Sequence, residues 1–88
     1  MVTIVVPSVW TKDRRSLFEV EEGPLFEVLN RFVEQRPECR ARVLAPDGKP
    51  LLFVNVSVDD RLVPRQERAA TVVPAGSTVI LIAPMAGG

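Results

Sequence analysis

The sequence predicts an α+β fold: a mixed sheet of four to five strands with one main helix packed on one face. Three observations predict it. Short apolar, β-branched runs stand at both ends of the chain, at residues 2–7 and 78–83. One stretch, residues 24–36, repeats apolar side chains at helical spacing. Turn signals at Asp47-Gly48 and at Pro74-Ala75-Gly76-Ser77 set off the strands that follow them. The 88 residues fit one small domain, and their 47% hydrophobic content can furnish its core.

Each element follows from its residues. In the first strand Val2, Ile4 and Val6 share one face, and Thr3, Val5 and Pro7 the other. Residues 10–15 are polar and turn-like apart from Trp10, and residues 16–20 return as a second short strand. Gly23-Pro24 marks the helix start, because proline has no N–H to lose in the first turn. Leu25, Val28, Leu29 and Phe32 form the apolar face with Val33 alongside, while Glu27, Asn30, Arg31 and Glu34 lie opposite. Arg36 suits the negative end of the helix dipole, and Pro37 stops the helix. From Pro24 to Arg36 it spans roughly 20 Å, enough to cross a small sheet.

Residues 51–58 form a strand in which Val54, Val56 and Val58 alternate with Phe53, Asn55 and Ser57. Asp59-Asp60-Arg61 turns into the short apolar pair Leu62-Val63, and residues 64–70 read as polar and irregular. The last strand is apolar on both faces: Val79 and Leu81 point one way, Ile80 and Ile82 the other. The first and last strands are both strongly apolar, which places them in parallel at the sheet centre. Strand, strand, helix, strand, short strand, strand is the order of the ubiquitin-like β-grasp fold.

Composition narrows function. Eleven basic residues balance eleven acidic ones, so no net field draws the chain to nucleic acid or to an anionic membrane. Tyrosine is absent, which thins the stacking surface a nucleic-acid site would use. Histidine is absent too, removing the commonest general base and metal ligand. Cys39 is the only cysteine, so neither an internal disulfide nor a cysteine-rich metal site can form; it reads as a helix-end or loop residue. Asp59-Asp60 reads as a solvated turn, and the arginines at 14–15, at 36, 40 and 42, and at 61, 65 and 68 as surface. No glycine loop precedes a helix to cradle phosphate. The N-terminal run lacks a basic leader, so a cytoplasmic location is the expectation.

The remaining candidate is the C-terminus. A domain over residues 1–83 passes straight from an apolar strand into the tail Pro84-Met85-Ala86-Gly87-Gly88. Five extended residues reach about 17 Å. The last two have no side chain, and a Cβ at Gly87 would both widen the tail and restrict its backbone. Such a tail fits a narrow channel and presents its carboxylate in a closed site.

At this point the sequence resembles the ubiquitin-like sulfur carriers: the small subunit of molybdopterin synthase, the thiamine-pathway carrier and the cysteine-biosynthesis carrier. The resemblance rests on residues 2–7, on Asp47-Gly48-Lys49, on residues 53–59, and on the run from Ala75-Gly76-Ser77 through the last strand to Ala86-Gly87-Gly88. Residues 53–59 and Pro7-Ser8 are most similar to the cysteine-pathway carrier. Ala75-Gly76-Ser77 departs from the acidic turn of many members, and Met85 from a frequent valine.

The resemblance implies a mechanism. An E1-like partner enzyme, using ATP and magnesium, adenylates the Gly88 carboxylate; a sulfur donor enzyme supplies sulfur; and a biosynthetic enzyme accepts it from the Gly88 thiocarboxylate. The chain itself binds no cofactor in this scheme and is a co-substrate, not an enzyme. Partners are expected to grip the sheet face away from the helix, at Val5, Pro7, Phe53, Ile80 and Ile82, together with Pro84, Met85 and Ala86 of the tail. A molybdopterin synthase subunit, a protein modifier joined to lysines through Gly88, and a β-grasp interaction module with an inert tail remain as alternatives.

Overall fold

The computed structural model describes residues 1–51 and 54–82. Among these the order is β1 (Val2–Val5), β2 (Leu17–Val20), β3 (Gly23–Pro24), α1 (Leu25–Gln35), α2 (Arg40–Val43), β4 (Asn55–Val58), β5 (Arg61–Leu62), β6 (Val72–Val73) and β7 (Thr78–Ile82). Five strands form one mixed sheet in the spatial order β2-β1-β7-β4-β5, and β3 pairs with β6 in a second, two-stranded ribbon. The first and last strands do run parallel at the centre, with Ile4 level with Val79. This is the β-grasp arrangement that the element order predicts.

Period-two burial explains the sheet. Val2, Ile4, Phe18, Val20, Val56, Val79 and Leu81 are all buried and all face the helix. From α1, Leu25, Val28, Leu29, Phe32 and Val33 meet them. The rings of Phe18 and Phe32 lie 5.2 Å apart and tilted by 55°, a favoured aromatic geometry. The guanidinium groups of Arg15 and Arg36 sit 5.1 and 4.9 Å from the Phe18 ring centre. Arg36 also pairs with Asp13 at 3.1 Å, tying the first loop to the end of the helix.

Several local expectations change. Gly23–Pro24 forms β3 rather than the first helical turn, and α1 begins at Leu25, whose N–H donates to Thr71 O at 2.9 Å. Trp10, the exception in the polar stretch 10–15, ends a 3-10 turn at Ser8–Trp10 and is only 6% exposed. Arg65–Ala70 is a 3-10 segment rather than irregular chain, and α2 and β6 have no counterpart in the sequence reading. Of the strand expected over 51–58, the described ladder begins at Asn55, with Leu51 and Val54 outside it.

Arg68 is the clearest correction. It is buried, not surface, and donates to Val63 O and Leu51 O, each at 3.4 Å. Burial lowers its pKa from the usual arginine value, since desolvation disfavours the charge. It ties the chain after β5 to the chain before β4.

Asp59 and Asp60 turn β4 into β5 with φ of 50° and 67°, a conformation aspartate tolerates better than most residues. The Asp59 carboxylate accepts the Thr78 N–H at 2.9 Å and the Ser77 hydroxyl at 2.8 Å. These bonds hold its pKa below the ordinary carboxylate value. Gly76 precedes them at φ 87° and donates its N–H to Met1 O at 2.9 Å. These three bonds fix the start of β7, the strand that ends at Ile82.

Candidate functional site

Strand pairing sets the composition of the face away from α1. Val5 lies opposite Leu17 on one side and level with Ile80 on the other. Ile80 faces Ser57, which in turn faces Leu62. Leu17, Val5, Ile80, Ser57 and Leu62 therefore form one row across five strands, about 19 Å wide at ordinary strand spacing. Four of the five side chains are apolar. Leu17 and Leu62 are largely exposed, and Val5 and Ile80 are half-buried.

The next row toward the start of β7 is polar: Glu19, Thr3 and Thr78 stand side by side. In the opposite direction comes Ile82, 47% exposed and paired with Asn55. The apolar part of the open face thus lies toward the end of β7, where the chain runs on to residues 83–88. Single exposed apolar side chains are ordinary on any protein; a row of them on one sheet face is a candidate contact surface.

The structure brings Val5, Ile80 and Ile82 onto this face. Pro7 follows the end of β1 and is half-buried, leading into the Ser8–Trp10 turn. The expectations for Phe53, Pro84, Met85, Ala86, Gly87 and Gly88 lie outside the described residues. Leu17 and Leu62 were missed by the sequence reading. Leu17 carries a signal that could have found it, since the hairpin sets it beside Val5. Leu62 does not, because its face depends on a register fixed by the Asp59-Asp60 turn.

Side-chain chemistry elsewhere is sparse. Among the described residues no cluster of three or more acidic or cysteine side chains could hold a metal ion. Cys39 is buried, with its thiol 3.6 Å from Trp10 O; burial and then the Glu38 charge push its pKa up, away from a reactive thiolate. A cleft of about 580 Å³ beside β5 is lined by Val58, Leu62, Val63 and Pro64 together with the polar Asp59, Arg61, Glu67 and Thr71. Among the described residues no helix is long and apolar enough to cross a membrane.

Comparison with known proteins agrees with this fold. Among solved structures, the fold superposes on the Amycolatopsis orientalis BexX/CysO complex structure with a TM-score of 0.83, at 22% identity, over 100% of both chains. Mycobacterium tuberculosis CysO gives a TM-score of 0.80 at 21% identity, over 97% of this chain and 100% of that one. SAMP1 from Haloferax volcanii gives 0.78 at 19% identity, over 99% and 98% of the two chains. A search of curated proteins finds no match. The ThiS family model matches residues 10–88, nine-tenths of the sequence and the whole of its C-terminal end, and the chain belongs to the ThiS family.

Proposed function

We propose that this protein carries sulfur as a thiocarboxylate on Gly88. The observation that carries the reading is the apolar row on the open sheet face, extended by Ile82 to the end of β7, after which the sequence runs on to Gly87-Gly88. In this reading it gives a partner enzyme a grip. The family match, which runs to residue 88, supports the same reading.

The chemistry follows from the terminal carboxylate. A carboxylate is a poor electrophile, so one of its oxygens first attacks the α-phosphorus of ATP on an E1-like enzyme. Pyrophosphate leaves, and an acyl-adenylate forms. Sulfide, or a persulfide followed by a thiol that cleaves the S–S bond, then displaces AMP: the C–O bond to phosphate breaks and a C–S bond forms. Magnesium serves the activating enzyme in neutralising the triphosphate. The resulting thiocarboxylate is an ionised nucleophile that a biosynthetic enzyme can consume. No side chain of the carrier takes part, which suits a chain without histidine and with its one cysteine buried.

In this reading Val5, Ile80, Ile82, Leu17 and Leu62 bind the activating enzyme, and Pro7 and Phe53 are proposed to contribute to the same contact. Pro84, Met85 and Ala86 form the stem that threads the active-site channel. Gly87 passes its narrowest point, and Gly88 holds the reactive group. The BexX/CysO structure is of a complex, in keeping with a chain of this fold that works bound to a partner. Intact-mass analysis after incubation with an activating enzyme, ATP and sulfide tests the reading. The expected product is heavier by sulfur less oxygen; higher-mass conjugates at lysines would instead support the modifier reading.

A further inference from the structure

The five-stranded sheet has two outer edges, and they are protected in different ways. An edge strand offers unpaired backbone groups to any extended chain, including another copy of itself. The β5 edge is two residues long and is followed within two positions by Pro64, which has no N–H to offer. The β2 edge is four residues long and carries the exposed Leu17.

Val6 donates its N–H to Ser16 O at 2.9 Å, which fixes the alternation of the β1–β2 ladder. Ser16, Phe18 and Val20 turn their backbone groups toward β1, and Leu17, Glu19 and Glu21 turn theirs outward. Each of these three outward carbonyls is taken by a side chain. Gln35 Nε2 donates to Glu19 O at 2.8 Å, Arg31 Nη1 to Glu21 O at 3.1 Å, and Arg15 Nη2 to Leu17 O at 3.5 Å. Arg31 Nη1 also donates to Glu22 O at 3.0 Å. Arg31 and Gln35 are four apart on α1 and so share one side of the helix. Gly23 leaves room for this: a Cβ there would come within 3.1 Å of Arg31 Nη1, on a backbone with φ of +149°.

We propose that these side-chain donors seal the β2 edge against strand addition by a second copy of this chain. Without the seal, antiparallel pairing of two β2 edges satisfies the outward backbone groups and buries Leu17 at the seam in one step. The pairing also occupies Leu17, the outermost member of the apolar row, and so competes with the partner that the open face serves. The seal rests on sheet geometry alone and stands whether or not Gly88 carries sulfur.

The test is the double variant Arg31→Ala, Gln35→Ala in the full chain, compared with wild type by sedimentation equilibrium and amide exchange. Alanine keeps the helix, because it is the strongest helix former. The expected result is self-association tightened by about tenfold or more. In the associated form the Leu17 and Glu19 amides, which face outward in the monomer, exchange more slowly. A folded double variant that self-associates no more than wild type overturns the proposal. So does association that leaves exchange at Leu17 and Glu19 unchanged. If the double variant does not fold, the single variant Gln35→Ala, at the exposed last residue of α1, is read by the same two outcomes.

Discussion

Replacing Ile82 with aspartate is expected to separate folding from partner binding. Ile82 is the last residue of β7, points away from α1 and is 47% exposed. Full burial of such a side chain contributes about 1.5–3 kcal/mol, so covering the remaining half contributes roughly 1 kcal/mol to a complex. A carboxylate placed there must also be desolvated in the interface, which costs about 1–3 kcal/mol more when it finds no partner. Together these predict affinity for the activating enzyme weakened by about 30-fold or more. The cost to folding is smaller, about 1 kcal/mol, because the site is half open and the change is mainly one of strand preference. Titration calorimetry against the activating enzyme reads the affinity, and urea denaturation reads the stability. Val72→Asp serves as the control, since Val72 is exposed on the separate β3–β6 ribbon. A folded Ile82→Asp protein that binds as wild type does, or a Val72→Asp protein that loses binding equally, would refute the assignment of the open face.

Two further predictions concern stability. Asp59 has a folded pKa below its unfolded value because the Thr78 N–H and then the Ser77 hydroxyl bond its ionised form. Its contribution is therefore present above the unfolded pKa and is lost as pH falls through the folded one. Urea midpoints taken from neutrality down to about pH 3 should fall less steeply for Asp59→Asn, which keeps a side chain that tolerates positive φ; parallel slopes would contradict this role. Phe32 is fully buried against Phe18, so Phe32→Ala is expected to remove about 3–5 kcal/mol, a large share of what a small domain has. An unchanged urea midpoint would show that the core is not organised around this pair.

Much of the fold was legible because burial here follows period. The parity of residues 2–5 and 78–82 told which side chains enter the core, and the strong apolarity of both runs placed them together at the sheet centre. What was not legible depends on contacts made across long sequence separations. Gly23–Pro24 leaves the helix because Val72–Val73 arrives to pair with it, and nothing near Gly23 announces that partner. Arg68 reads as surface by type and local polarity; it is buried because two distant carbonyls, those of Leu51 and Val63, converge on its guanidinium. Trp10 stands apart from the polar run that follows it by type, but its burial depends on the 3-10 geometry after Pro7, which the local sequence does not announce.

The candidate site divides the same way. Val5, Ile80 and Ile82 were found by parity alone. Leu17 and Leu62 complete the row through registers that a sequence states only indirectly: the hairpin for Leu17 and the Asp59-Asp60 turn for Leu62. The proposal for Gly87 and Gly88 rests on a different signal: two residues without side chains follow an apolar strand in a sequence with few other reactive groups.

The most direct test of the central claim is the mass of the intact chain and of its C-terminal fragment after incubation with an activating enzyme, ATP and sulfide. The expected result is a gain of sulfur less oxygen, located on Gly88 and absent when Gly88 is deleted. An unmodified Gly88, or a sulfur atom found on Cys39 instead, would contradict it.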